Sequence, residues 1–292
     1  MEIAIISGKG GTGKSSISAA FLSLIPQVHA VDCDVDASNL YLIFDPSHEE
    51  EQVFVSGKHA TIDQSRCSAC GQCMELCRFD AITLEDKQFT IDEIACEGCA
   101  LCYRICPSQA IELIPDDKSR IYRGTFRYGS MIYGRLAPGE ENSGKMVGRL
   151  RELNKQHHGG NPQEITILDG PPGIGCPVLS TITGVDKVVV VTEPSQSGWS
   201  DLQRTVEVVR HFSIPLSVII NKCTLNEAYV EKIMAWCKAQ QLPIVACLPF
   251  DREMVEAMVN GQTIVEYRPE SATTQQLRKA LKEILGKEEV LS

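Results

Sequence analysis

An apolar run, Ile3-Ala4-Ile5-Ile6, leads directly into Gly8-Lys9-Gly10-Gly11-Thr12-Gly13-Lys14-Ser15. That stretch fits G-x-x-x-x-G-K-S/T in the setting the motif requires, a buried strand before it and an amphipathic helix, Ser16 to Leu24, after it. The chemistry follows from the residue types. Gly8, Gly10, Gly11 and Gly13 with Thr12 let backbone N–H groups converge on phosphate oxygens, and the helix opening at Ser16 adds its positive end. Lys14 reaches the β- and γ-phosphates, and the Ser15 hydroxyl can ligate magnesium. A nucleoside triphosphate site constrains this chain to an α/β sheet before anything else is read.

One rival has to be weighed. Gly8, Gly10 and Gly13 also spell G-x-G-x-x-G, and Asp32 stands about twenty residues on, where a dinucleotide fold keeps its ribose carboxylate. Lys14-Ser15 decides for the triphosphate, since a nicotinamide site has no use for an ammonium and a hydroxyl at the helix start. The additional Lys9 resembles the deviant loop of the MinD, ParA, Mrp and nitrogenase iron-protein family of P-loop ATPases. This resemblance implies ATP with Mg2+ as ligands and a mainly parallel sheet flanked by helices. It also implies a Lys9 that crosses to a partner's nucleotide, hence a nucleotide-dependent homodimer or a heterodimer with a similar ATPase.

Further segments extend the likeness. Val28-His29-Ala30-Val31 reads as a strand delivering Asp32-Cys33-Asp34-Val35-Asp36 beside the loop. That segment resembles the family's switch I, with Asp34 at its catalytic position; capping of a helix from Ser38-Asn39 is the alternative for Asp34 and the preferred reading for Asp36. Ile165-Thr166-Ile167-Leu168-Asp169-Gly170 resembles switch II, where Asp169 would hold magnesium through water and Gly170 would offer its N–H to the γ-phosphate. Val188 to Thr192 and Leu216 to Ile220 are buried strands. The second ends in Asn221-Lys222, and an Asn at this strand end holds the purine base in the family, although a simple turn remains open. Pro249, at the exit of a last strand within 243–251, is expected to line the base pocket. The catalytic set implied is Lys9, Lys14, Asp34 and Asp169.

The α/β pattern stops over 58–116. There Cys67-x-x-Cys70-x-x-Cys73-x-x-x-Cys77 is repeated as Cys96-x-x-Cys99-x-x-Cys102-x-x-x-Cys106-Pro107, each copy followed by a short apolar piece. The chain carries 13 cysteines, and metal ligation explains their clustering better than a disulfide framework. The duplication resembles the bacterial two-cluster ferredoxins. That likeness implies two 4Fe-4S clusters with crossed ligation: Cys67, Cys70, Cys73 and Cys106 on one, Cys96, Cys99, Cys102 and Cys77 on the other. Zinc is the competitor, but its sites close one tetrahedron with paired ligands and leave crossed triplets without a role. Arg78 stands where the second copy has Pro107, which removes no ligand. The expected organisation is an ATPase domain over 1–57 and 117–292 interrupted by a ferredoxin domain over 58–116.

Composition narrows the partners. A net charge of −10 argues against nucleic acid. No apolar run reaches the roughly 20 residues of a spanning helix, and Met1-Glu2-Ile3 enters a strand at once, so the expectation is a cytoplasmic protein. A terminal helix from Thr274 to Gly286 aligns Leu277, Leu281, Ile284 and Leu285. Glu283, Glu288 and Glu289 dilute any basic face, so docking on the domain is expected rather than membrane binding. Two alternating segments within 121–136, joined at Gly129-Ser130, read as a hairpin or as strands of the main sheet. Cys223, Cys237 and Cys247 read as packing residues, as does Cys176 at a helix start, with a cluster-bridging role for Cys176 as the alternative. Three functions stay open: nucleotide-gated electron transfer to a redox partner, iron–sulfur cluster assembly or carriage to an acceptor protein, and a positioning switch with a redox sensor.

Overall fold

The computed structural model describes residues 1–158 and 164–286 and divides into two compact units. Glu288 and Glu289 lie outside the described residues. The elements in order are β1 (Glu2–Ser7), α1 (Lys14–Leu22), β2 (Val28–Asp32), α2 (Leu40–Phe44), β3 (Glu50–Phe54), β4 (Lys58–Ile62), α3 (Gln72–Glu75), β5 (Ile82–Glu85), β6 (Gln88–Ile91), α4 (Leu101–Ile105) and β7 (Ile111–Pro115). They continue with β8 (Ser119–Phe126), β9 (Gly129–Arg135), α5 (Ser143–His158), β10 (Thr166–Pro172), α6 (Cys176–Ile182), β11 (Lys187–Thr192), α7 (Gln196–His211) and β12 (Leu216–Ile220). A single 3-10 turn at Cys223–Leu225 precedes α8 (Glu227–Ala239), β13 (Ile244–Cys247), α9 (Glu253–Val259), α10 (Ile264–Tyr267) and α11 (Ala272–Leu285).

The first unit comprises Met1–Glu51, Tyr122–Gly134 and Ser143–Ser292. Its sheet runs β13-β12-β11-β1-β10-β2-β9-β8-β3, and the pairings from β13 across to β9 are all parallel. Strands such as Val188-Val189-Val190-Val191 are apolar on both faces because helices cover both faces. That burial also corrects one expectation. The helix after the loop is not amphipathic: Ile17, Ala19, Ala20, Phe21 and Leu22 are all buried, as an apolar helix inside a layered domain must be. Leu277, Leu281, Ile284 and Leu285 of α11 join the same core, so this helix docks on the domain. Among the described residues no helix is long and apolar enough to cross a membrane.

The paired strands β8 and β9 enter the main sheet, with the turn at Arg127-Tyr128 rather than at Gly129-Ser130. The reason is packing. Arg127 binds Glu266 and the carbonyls of Ile43 and Phe44, which fixes the corner two residues early. The tyrosines face inward, Tyr122 and Tyr41 each stacking on Tyr133 at 5.0 Å.

The second unit comprises Gln52–Ile121 and Arg135–Asn142. It holds two antiparallel pairs, β4 with β7 and β5 with β6, and the short helices α3 and α4. The cysteine duplication recurs in the backbone. Ala69, Gly71 and Asp80 adopt the left-handed conformation, and so do Gly98, Ala100 and Gln109, the residues at the same places in the second copy. Such conformations are unfavourable for side-chain-bearing residues, so their repetition marks a turn the cysteine geometry demands.

Candidate active site

The register of the central strands builds the site. Asp169 on β10 lies beside Ile5 of β1 on one side and Asp32 of β2 on the other, so the sheet itself brings two carboxylates together behind the loop that follows β1. The loop turns on Gly11 and Gly13, at φ +78° and +89°. A Cβ at Gly13 would also stand 2.3 Å from the Asn221 amide nitrogen, so only glycine fits.

A cleft opens over this loop. Gly10, Gly11, Thr12, Gly13, Lys14, Ser15, Ser16, Asp34, Asn221 and Lys222 line it, all of them expected from the sequence. Gly8, Lys9, Asp169, Gly170 and Pro249 do not. Gly8 is packed against Asp201, and Gly170 is buried inside β10, where a Cβ would meet Ile6 at 2.7 Å. Asp169 is fully buried under Lys14.

Lys14 is the hinge of the charge arrangement. Its Nζ donates to Asp169 Oδ1 at 2.9 Å and stands 3.8 Å from Asp34 Oδ2. Burial alone would lower the Lys14 value, but Asp169, Asp34 and Asp32 outweigh it and hold the ammonium above its ordinary range. Ser18 Oγ completes Asp169 Oδ1 at 2.7 Å. Asp169 Oδ2 and Thr12 Oγ1 are buried with no partner. Two orphaned oxygens at a loop rich in backbone donors fit a site built for a phosphate with its cation, Ser15 being the hydroxyl available to that cation.

Several features were not foreseen. Asp32, not Asp36, starts α2: its Oδ2 accepts from Ser38 Oγ at 2.8 Å, Asn39 N at 3.1 Å and Leu40 N at 3.2 Å. Asn221 Nδ2 donates to the Thr12 carbonyl at 2.8 Å, while its Oδ1 accepts from Lys222 N, so this amide stitches the loop to β12. Phe250, Met254, Val255 and Met258 add an apolar wall to the cleft. A Phe-Asp beyond a strand and Met residues on a helix carry no signal that would have marked them. Cys176 is exposed at the start of α6 rather than buried. Cys237 is buried, as expected, but Cys223 and Cys247 are only half-buried, with their thiols in hydrogen-bonding reach of each other.

The buried carboxylates make a pH prediction. Burial and then Asp169 push Asp32 up to about 7, against the pull of Lys14 and of its own hydrogen bonds. Between the unfolded value of about 4 and that folded value, the folded chain keeps a proton the unfolded chain has lost. The associated stability is fully present below about pH 4 and is lost as pH rises through about 7. Burial raises Asp34 and Asp36 in the same sense. Denaturant unfolding at pH 5 and pH 8 should show the folded state weaker at pH 8 in this respect, with Asp32→Asn flattening the fall. An unchanged pH slope in Asp32→Asn would contradict the assignment.

In the second unit the cysteines sort into two small cavities. Cys67, Cys70, Cys73 and Cys106 line one; Cys77, Cys96, Cys99 and Cys102 line the other. Backbone donors already reach two of these sulfurs, Ala60 N to Cys96 Sγ at 3.4 Å and Ala110 N to Cys106 Sγ at 3.3 Å. Among the described residues no His, Cys, Asp or Glu group is drawn together tightly enough for a single metal ion. Four thiols spread around a common cavity suit a multi-iron centre, in which each thiolate takes a different iron.

The comparisons with known proteins agree with the first unit. An uncharacterized protein of Methanocaldococcus jannaschii is 34% identical over 290 residues, 98% of either chain. A cytosolic Fe-S cluster assembly factor Nubp1 homolog of Drosophila yakuba is 22% identical over 162 residues, 49% of this chain and 51% of that one. The septum site-determining protein MinD complexed with Mg-ADP, from Pyrococcus horikoshii OT3, superposes with a TM-score of 0.58 at 18% identity, covering 97% of this chain and 95% of that one. A family model described as the CobQ/CobB/MinD/ParA nucleotide binding domain matches residues 3–264. With an α/β P-loop fold and that match over most of its length, the chain belongs to the CobQ/CobB/MinD/ParA nucleotide-binding family.

Proposed function

We propose that this protein is a MinD/ParA-type ATPase whose nucleotide state gates electron transfer through two 4Fe-4S clusters to a protein partner. The observation that carries this reading is the sorting of eight cysteines into two cavities by crossed triplets, in a chain that also carries a phosphate-loop cleft. When bound, the clusters would supply one-electron chemistry. Residues 58–116 would form the ferredoxin domain, and 1–57 with 117–292 the ATPase domain.

Lys14 would exchange Asp169 for the β- and γ-phosphates when ATP enters, stabilising the charge that develops on transfer. Ser15 and the freed Asp169 would then hold magnesium, directly and through water. Asp34, within the cleft, would orient the attacking water. The loop N–H groups and the opening of α1 take the phosphates, and the wall of Phe250 and Met254 would seat the base beside Asn221. Lys9 would act on a second chain's nucleotide, giving an ATP-dependent homodimer or a pair with a similar ATPase.

A second reading, assembly or carriage of clusters for an acceptor protein, draws support from the partial similarity to the Nubp1 homolog, a cluster assembly factor. Against it stands a ligand set of four cysteines per cavity, which suits retention. Anaerobic reconstitution tests the shared part of both readings: roughly eight irons and eight sulfides per chain are expected. Retention of those clusters in the presence of ATP and an acceptor apoprotein supports electron transfer; stoichiometric loss to the acceptor supports carriage.

A further inference from the structure

The two copies of the cysteine motif are alike in spacing and unlike in what surrounds their sulfurs. Cys67, Cys70, Cys73 and Cys106 bound one cavity, the first, and Cys77, Cys96, Cys99 and Cys102 bound the second. Aligning the copies on their cysteines pairs Ser68 with Glu97, Gln72 with Leu101 and Ser108 with Phe79. Ser68, Gln72 and Ser108 all line the first cavity, whereas Glu97, Leu101 and Phe79 all line the second. The crossing of the motifs produces this division, because Ser108 follows Cys106 into the first cavity and Phe79 follows Cys77 into the second.

Hydrogen bonding to sulfur divides in the same way. A backbone N–H reaches a sulfur in each cavity, Ala110 N to Cys106 Sγ at 3.3 Å and Ala60 N to Cys96 Sγ at 3.4 Å. The first cavity adds a hydroxyl, since Ser108 Oγ lies 3.6 Å from Cys106 Sγ. A cysteine that ligates iron has given up its proton, so in this pair only the hydroxyl can donate. Phe79, in the matching place beside Cys77, has nothing to donate.

Each of these differences acts with the same sign. Reduction adds one electron to a centre, and a hydrogen bond to a ligating sulfur stabilises the more negative, reduced form. Apolar Leu101 and Phe79 in place of polar side chains withhold that stabilisation, and the Glu97 carboxylate repels the added electron. Glu97 is exposed, so water and salt screen its share; Ser108, half-buried and in contact with a ligand sulfur, makes the larger one.

We infer that the two centres are unequal: the one bounded by Cys67, Cys70, Cys73 and Cys106 has the more positive potential, and Ser108 is the residue that chiefly sets the difference. The inference rests on the two-cluster reading above and gives the proposed electron transfer an order within the second unit. A single electron delivered by a donor to either centre settles on the first, reoxidising the second if it arrived there.

The experiment is a redox titration of the reconstituted protein with dithionite, followed by electron paramagnetic resonance. Two single-centre variants are compared, so that repulsion between two added electrons does not enter: Cys77→Ala keeps the first centre and Cys106→Ala keeps the second. Reduction of the first should be roughly three- to tenfold more favourable, about 30–60 mV more positive at about 59 mV per tenfold. Adding Ser108→Ala to Cys77→Ala should remove most of that advantage, and Ser108→Thr, which keeps the hydroxyl, should retain it. Equal potentials in the two single-centre proteins, or a first centre that ignores Ser108→Ala, overturn the inference. Should a single-centre variant fail to hold roughly four irons, Ser108→Ala in the otherwise intact protein decides. There it should lower the more positive of the two reduction steps, and no shift, or a shift confined to the other step, overturns the inference. A parent protein that takes up no iron and sulfide fails the two-cluster reading itself, which the iron and sulfide count registers separately from any potential.

Discussion

Lys14→Ala is expected to cut ATP turnover by two to three orders of magnitude and, separately, to destabilise the fold. The catalytic loss follows from removing the cation aimed at developing phosphate charge. The stability loss follows from a different contact. Asp169 is fully buried, next to buried Asp32, and its hydrogen bond from Lys14 at 2.9 Å brings the nearest positive charge. Stripping one partner from a buried pair costs about 3–5 kcal/mol because an uncompensated charge remains. Adding Asp169→Asn to Lys14→Ala should restore most of that stability, since the amide is neutral, while restoring no turnover. Thermal unfolding and phosphate release measured on the same three proteins separate the effects. Wild-type turnover in Lys14→Ala would remove the nucleotide mechanism, and a double variant no more stable than the single would remove the charge argument.

The second large effect concerns the cysteines. Cys106 belongs to the second motif by sequence but lines the cavity of the first, and Cys77 is exchanged in the opposite direction. Cys106→Ala should therefore abolish the same centre as Cys67→Ala, and Cys77→Ala the same centre as Cys99→Ala. Each variant should retain roughly four irons after reconstitution, and the interacting paramagnetic signal of the reduced protein should collapse to that of one isolated centre. If Cys106→Ala instead matches Cys99→Ala, the crossed arrangement is wrong. Tightly held zinc without acid-labile sulfide would overturn the cluster reading altogether.

Much of this was legible in the residues because it is local. A phosphate loop is written in one stretch, since its glycines, Lys14 and Ser15 act on one ligand from one turn, and the structure gathers Gly10 to Ser16 around one cleft. The cysteine duplication was legible for the same reason, as a short spacing repeated. What was not legible depends on strand register or on long loops. Asp32 became the helix cap because it is the last residue of β2, and its place beside Asp169 is set by pairing across the sheet. Glu193 meets Lys9 because β11 lies beside β1, a neighbourhood that a sequence pattern does not specify. The amphipathic reading of α1 failed because its small residues, Ser18, Ala19 and Ala20, look neutral in sequence and are buried by close packing. Cysteine is usually buried, whereas the first turn of α6 leaves Cys176 exposed.

The central claim is that nucleotide and electrons are coupled in one chain, and it is tested most directly by redox titration of the reconstituted protein. Midpoint potentials of both centres would be measured without nucleotide, with ADP, and with ATP in an Asp34→Ala variant, which the proposed mechanism expects to bind ATP without turning it over. A tenfold coupling corresponds to about 59 mV for a one-electron centre, so a shift of that order between the ATP and ADP states is the predicted result. Identical potentials in all three states, together with an identical rate of oxidation by an acceptor, would contradict nucleotide-gated electron transfer and leave the clusters as cargo or sensor.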